Sequence, residues 1–163
     1  MCNGIPRACR CPGPSARLSI LRATMKPATR PALPVLSGGV PRQDFPASVP
    51  AWWGAFMAVT SDEGQRWEKG HLIGAQFGGP PTEGNLAPQY REVNRGPIQS
   101  CDNRVKAAAL RCGCVRLTVE ANYGLQRKIV PVSFTITVSS ADTSFVAKVV
   151  NSQSPSTPQE CQK

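Results

Sequence analysis

Histidine is almost absent from this chain of 163 residues, which contains a single one, His71. A metal site built from several histidines is therefore excluded. The chain also lacks any apolar run near the ~18 residues that a membrane-spanning helix requires, so no membrane span is predicted. Its length leaves room for one domain with tails.

Acidic residues are missing from the first 42 positions, which hold seven arginines or lysines. Positions 43–163 hold twelve basic and ten acidic residues, so the net charge of +9 belongs mainly to the first segment. A basic arm attracts polyanions by counterion release, without reading their sequence. The same composition also fits a solvated linker, a transit peptide or the remnant of a longer parent, and it makes a poor secretory signal.

Proline is concentrated in residues 1–50, which contain nine of the 16 prolines. Because proline lacks an amide donor and disfavours helix in the residue before it, this stretch should not form regular structure. We therefore predict three parts: a disordered or targeting segment over residues 1–50, one domain over residues 51–151, and a disordered polar tail over residues 152–163.

Cysteine is odd in number, with seven residues at positions 2, 9, 11, 101, 112, 114 and 161. The close pairs at 9/11 and 112/114 are spaced more tightly than in most structural zinc sites. Cys101 and Cys112 cannot pair on one continuous helix, which would separate them by about 16 Å against a limit of ~7 Å between α-carbons. Disulfides are expected if the protein is exported, and buried free thiols are our default interpretation.

Hydrophobic spacing predicts helix and strand in alternation over the first part of the domain. Residues 52–59 form a strand or short helix that covers the core, and strands run from Gln65 to Ile73 and from Asn85 to Gln89. A helix follows, with Pro97 in its first turn and Gly113 as its terminator. Its buried face is predicted from apolar residues at helical spacing: Ile98, Cys101, Val105, Ala108 or Ala109, and Cys112.

Alternating patterns after the helix predict three strands. The first runs from Val115 to Ala121 and ends in a turn at residues 122–124. The second buries Val130, Val132, Phe134, Ile136 and Val138, and Pro131 indicates an irregular or edge start. The third runs from Phe145 to Val150. The prediction is thus an antiparallel meander after one main helix.

Two short segments carry the most specific pattern: residues 67–79 read WEKGHLIGAQFGG and residues 85–94 read NLAPQYREVN. The run from Glu68 to His71 resembles the acidic-Arg-Gly-His motif of the non-specific DNA/RNA endonucleases of the ββα-metal (His-Me finger) class. Asn85 and Asn94 match that family's Asn-Leu-x-Pro-x₅-Asn segment. The compact nuclease domain at the C-termini of bacterial secreted and contact-delivered toxins is similar over residues 67–151.

This resemblance implies an α+β fold with a ββα-metal core and a strand meander. It implies a Mg²⁺-dependent endonuclease, with Mn²⁺ as an alternative ion, that cuts DNA with little sequence preference; RNA is a further candidate substrate, and the preference between the two stays open. The toxin-type domains further imply secretion or delivery into target cells, and an acidic immunity or inhibitor protein as a partner.

The resemblance also assigns roles to individual residues. His71 becomes the general base, since imidazole titrates near neutral pH. Asn94 becomes the metal ligand, because Mg²⁺ prefers oxygen donors and often takes only one or two from the protein. Asp102, eight residues further on, matches an acid that helps to hold the hydrated ion, or is a solvated surface acid. Asn85 braces the site or caps a turn.

The charged residues of the motif are the remaining candidates. Glu68 is its acid, and Lys69 stands where the family usually has arginine, whose planar fork grips phosphate at two points. Arg95 or Arg104 would then compensate as nucleic-acid-binding groups. Two alternatives stay open: a catalytically decayed nucleic-acid-binding protein that relies on its basic N-terminal arm, and a structural protein in which Gly-His is only a turn.

Overall fold

The computed structural model describes residues 19–20, 36–37, 50–59, 66–112, 114–123 and 130–162. Predictions for the rest of residues 1–50, for Gly113 and for Gly124 fall outside these residues. The described chain combines helices with mainly antiparallel strands around one main helix, so the predicted α+β class is confirmed. None of the described helices has both the length and the apolar character to cross a membrane. The elements are β1 (Ser19–Ile20), β2 (Leu36–Ser37), α1 (Ala51–Val59), β3 (Trp67–His71), β4 (Leu86–Tyr90), α2 (Arg91–Val93), α3 (Gln99–Cys112), β5 (Cys114–Tyr123), β6 (Pro131–Ser139) and β7 (Ser144–Val150).

The strands form two sheets. One has five strands in the order β2-β1-β5-β6-β7, and the other is the β3–β4 hairpin. In the hairpin Trp67 lies opposite Tyr90 and His71 opposite Leu86. The chain passes from Tyr90 directly into α2, so the hairpin and the following helix are joined without a loop.

The helical run extends from Arg91 to Cys112 and contains a wider π-helical turn at Asn94–Ile98. Pro97 lies inside this turn rather than in the first turn of the helix, so that prediction was wrong. Proline donates no amide hydrogen bond, and the wider turn lies where that bond is missing. Ile98, Cys101, Val105, Ala108 and Ala109 are all buried, which confirms the predicted face for these residues, while the side chain of Cys112 lies outside the described part of the chain.

The core lies between α3 and the inner face of the β5–β6–β7 sheet. The predicted alternation of β5 is confirmed, since Val115, Leu117, Val119 and Ala121 are buried and Arg116 is exposed. Residues 122 and 123 belong to β5 rather than to a turn. From the other strands, the core receives Phe134, Ile136, Val138, Ala147 and Val149.

The start of β6 is irregular, as Pro131 indicated. The register passes from Asn122 opposite Ser133 to Tyr123 opposite Pro131, which leaves Val132 as an extra residue on β6. This bulge turns the side chain of Val132 outward, to 47% exposure, so its predicted burial was wrong.

A disulfide ties the C-terminal segment to the main helix. Cys101 of α3 is bonded to Cys161, whose side chain is buried. The default interpretation of Cys101 and Cys161 as free thiols was therefore wrong. Residues 152–162, which we predicted as a disordered tail, lie against α3 through this bond and through Gln162, whose carbonyl accepts from Arg104 at 2.7 Å.

Candidate active site

The β3–β4 hairpin presents two different faces. Side chains alternate along a strand, so Trp67, Lys69 and His71 share one face, while Glu68 and Gly70 share the other. On the first face Trp67 stacks on Tyr90 at 3.9 Å between ring centroids and meets Phe56 of α1 edge-on. The Lys69 ammonium lies 5.8 Å from the centre of the Trp53 ring. The aromatic cluster thus fixes the strand that leads to His71.

On the second face, Glu68 joins the strand to the helical run. One carboxylate oxygen accepts a hydrogen bond from the Asn94 amide nitrogen at 2.7 Å. The other lies 2.6 Å from the Arg95 guanidinium and 3.8 Å from that of Arg91. Because its nitrogen is held by Glu68, the Asn94 amide has a fixed orientation, with its oxygen directed away from that carboxylate.

Asn85 holds the loop that follows His71. Its side-chain oxygen accepts from the Ile73 amide at 2.9 Å, and its nitrogen donates to the carbonyls of Ile73 and Pro80, both at 3.0 Å. The backbone is close enough that a side chain at Gly79 would lie 1.9 Å from the Ile73 oxygen. Asn85 is buried, and these three hydrogen bonds brace the loop.

Asp102, in the first turn of α3, reaches the same loop. It accepts a hydrogen bond from Gln76 at 3.2 Å, and a side chain at Gly74 would lie 2.6 Å from its carboxylate. Burial raises the pKa of Asp102 to about 7, against the weaker opposing effect of the Gln76 hydrogen bond. A cation beside it would favour the ionised form.

His71 is the last residue of β3 and is partly buried. Burial lowers the pKa of its imidazole from 6.5, so the ring is neutral at pH 7 and able to accept a proton. The backbone beyond it is held on both sides: the His71 carbonyl accepts from Gln89 at 3.3 Å and the Leu72 amide donates to the Asn85 carbonyl at 2.8 Å.

The helical run meets the segment around His71 at two points. Asn94 contacts Glu68, three residues before His71, and Asp102 lies beside Gly74, three residues after it. The run from Asn94 to Asp102 therefore lies alongside the strand end and loop that carry the imidazole.

The basic candidate residues do not all lie at the segment around His71. Arg95, with its side chain 69% exposed, lies at the Glu68 cluster. Arg104 instead contacts Gln162 and the Phe145 ring, on the side of α3 that faces the C-terminal segment. Lys69 is directed toward α1.

Gln76 and Gln89 were missed by the sequence reasoning. Gln89 is fully buried in β4, and its one signal was a polar residue inside a short apolar strand. Gln76 stood inside the pattern at residues 67–79 but was given no role, because its bond to Asp102 joins residues 26 positions apart.

A metal cage of several ionisable side chains is not found in the described part of the chain, where no three His, Cys, Asp or Glu side chains come together. The predicted oxygen donors, the Asn94 amide and the Asp102 carboxylate, both lie on the helical run and contact Glu68 and the loop at Gly74 and Gln76, respectively. An oxygen-only set with few protein ligands fits Mg²⁺, which keeps several waters.

The chain matches the family model described as DNA/RNA non-specific endonuclease over residues 50–142. This match begins at α1, includes the hairpin, the loop and the helical run, and ends after β6. A search among curated proteins found no match to this sequence. This family match covers more than half of the chain and identifies it as a member of the DNA/RNA non-specific endonucleases.

Proposed function

We propose that this protein is a Mg²⁺-dependent endonuclease with a ββα-metal core, in which His71 is the general base and Asn94 holds the ion. The observation that supports the proposal is a pair of contacts made by the helical run: Asn94 bonds to Glu68, three residues before His71, and Asp102 lies beside Gly74, three residues after it. Mn²⁺ has the same ligand preferences and is the expected substitute.

His71 begins the reaction by taking a proton from the water that attacks the phosphorus. Its lowered pKa keeps the imidazole unprotonated at neutral pH, which is the state that a base requires. Asn85 and Gln89 hold the backbone on both sides of the Leu72 amide, so the ring starts from a fixed position. Positioning of this kind lowers the activation barrier, because the ring has little orientational freedom left to lose when the reaction begins.

Glu68 prepares the other half of the site. It holds the Asn94 amide nitrogen and the Arg95 guanidinium, which leaves the Asn94 oxygen free to bind a cation and keeps a positive charge nearby. When bound, Mg²⁺ supplies charge relief at the phosphoryl oxygens and at the leaving oxygen. Asp102 adds a second oxygen donor on the side of the loop, and Lys69 and Arg95 attract the phosphate backbone.

The substrate is DNA, and RNA as well, read through its backbone. Arg95, the basic residue at the Glu68 cluster, suits contacts with phosphate, which carry no base information. The Cys101–Cys161 disulfide supports a location in an oxidising compartment, as expected of a secreted or delivered nuclease toxin. An acidic inhibitor that covers the basic side chains would be its protective partner.

The test is incubation of the purified protein with supercoiled plasmid and with RNA, each with Mg²⁺ and with EDTA. We expect cleavage that needs the ion and falls by ~10²–10⁴-fold in His71→Ala, the usual value of a general base. Unchanged cleavage by His71→Ala would refute the assignment of the base. Binding without any cleavage, lost on deletion of residues 1–42, would favour a decayed nucleic-acid-binding protein instead.

A further inference from the structure

Gly70 precedes the proposed base, and an open approach for the phosphate would be one reason for a glycine there. The structure gives another. A side chain at position 70 would lie 2.0 Å from the Gln89 side-chain carbon Cδ and 2.3 Å from its oxygen. The space beside Gly70 is therefore filled by the Gln89 amide.

The Gln89 amide reaches the backbone of His71 from this space. Its nitrogen donates to the His71 carbonyl at 3.3 Å. That carbonyl belongs to the peptide group that joins His71 to Leu72, so the bond restrains the backbone beside the imidazole. Asn85 restrains the next two residues.

Gln89 is an energetically unfavourable residue at this buried position. Its side chain is fully buried, and its oxygen is one of two buried side-chain polar atoms in the described chain without a hydrogen-bond partner, the other being the Trp67 ring nitrogen. A buried amide oxygen left unpaired is unfavourable, whereas methionine would fill a similar volume without that cost. Stability alone does not explain the amide.

We infer that Gln89 is a positioning residue for His71, and that position 70 is glycine because the Gln89 amide must pass there to reach the His71 carbonyl. This inference rests on the proposed function for its catalytic part. Gln89 touches neither the substrate nor the reacting atoms; it acts through His71.

A double-mutant cycle of Gly70→Ala and Gln89→Ala tests the inference. An added methyl group displaces the amide, and truncation removes it, so both changes break one and the same bond. Each single variant should lower kcat on plasmid DNA on the order of 10- to 100-fold, the scale of a misplaced catalytic group, with KM nearly unchanged. The kcat of the double variant should be no lower than the kcat of the less active single variant.

If the two losses multiply in the double variant, or if Gly70→Ala mainly raises KM, Gly70 serves substrate approach and the inference is overturned. Gln89→Met, which keeps the volume and lacks the donor, replaces Gln89→Ala if truncation prevents folding. Normal kcat in a folded Gln89→Met protein would equally overturn it. Gly54→Ala and Gln99→Ala are the matched controls, since a side chain at Gly54 meets nothing within 4 Å and Gln99 is exposed.

A second readout separates this inference from the proposed function. The single histidine gives one set of imidazole signals in an NMR spectrum. Gly70→Ala and Gln89→Met should both shift those signals, and the two control variants should not. Unshifted signals overturn the positioning role even if the protein cuts DNA, whereas shifted signals in a protein that never cuts DNA would refute only the nuclease mechanism.

Discussion

The β3–β4 hairpin with its loop differs from the β5–β6–β7 sheet in what fixes its conformation. The sheet has continuous strand pairing, and its inner face packs many apolar side chains against α3. The segment from His71 to Asn85 also packs apolar side chains in the core, but its backbone at residues 71, 73 and 80 is held by hydrogen bonds of two side chains, Asn85 and Gln89. Apolar packing is shared among many residues, whereas each polar contact in the hairpin depends on one.

This difference predicts how the two regions respond to substitution. A change in the sheet should lower the free energy of unfolding and leave the rate of cleavage by folded molecules intact. A change in the hairpin should lower the rate more than its cost in stability suggests. In the site, therefore, the cleavage rate depends on the exact position of a few groups, and no second contact replaces one that is lost.

The largest effect on stability is expected for Phe134→Ala in the middle of β6. Phe134 is fully buried, and loss of a core phenylalanine costs ~3–5 kcal/mol through lost contacts and the remaining cavity. Thermal and urea unfolding measure the loss, and Val132→Ala on the exposed bulge is the control. If plasmid cleavage well below the melting temperature falls in parallel, the two regions are not separable.

The next largest effect is expected for Cys161→Ser, which opens the bond to Cys101. The disulfide closes a loop of 60 residues, and the chain-entropy relation gives about 4 kcal/mol for such a loop. Urea unfolding of the variant, and of the wild type with a reducing agent, should show the same loss. A reduced wild type with unchanged stability would contradict this role for the C-terminal segment.

A smaller loss of stability is expected for Asn85→Ala, which breaks three hydrogen bonds and leaves the Ile73 amide unpaired. Unpaired buried groups cost ~1–3 kcal/mol. The cleavage rate should fall further than this loss explains, because the loop beyond His71 is released. Asn103→Ala, on the exposed side of α3, is the control; a variant that is less stable but fully active would contradict the comparison.

The smallest effect is expected in the dependence of the cleavage rate on pH, which should be displaced toward lower pH. Because burial lowers the pKa of His71 from 6.5, the neutral base should persist below that pH. The acid limb of log kcat/KM, measured at constant Mg²⁺, should therefore lie below pH 6.5. A limb at or above 6.5 would mean that the catalytic imidazole is solvated or that another group titrates.

Elements with short-range periodicity were predictable from the sequence. The apolar face of α3 and the alternation in β5 depend on residues two to four positions apart, and both were predicted correctly. The Cys101–Cys161 bond was not predictable, because its partners are 60 residues apart and nothing local distinguishes them from the other cysteines.

In the site, the sequence pointed to His71, Asn85 and Asn94 through motif spacing, but it did not show which contacts connect them. Glu68 was assigned only as a member of the motif, whereas the structure has it holding Asn94 and Arg95. Arg95 and Arg104 were equivalent candidates, and only the path of the C-terminal segment separates them. Such lateral contacts depend on the fold rather than on local pattern.

The central claim is that a cation held by Asn94 lies close to the imidazole of His71. Because the chain has one histidine, titration with paramagnetic Mn²⁺ while its ring signals are followed by NMR tests this directly. We predict that substoichiometric Mn²⁺ broadens the His71 signals in the wild type and leaves them sharp in Asn94→Ala at the same concentration. Signals that stay sharp in the wild type, with Mn²⁺ bound and supporting cleavage, would contradict the account.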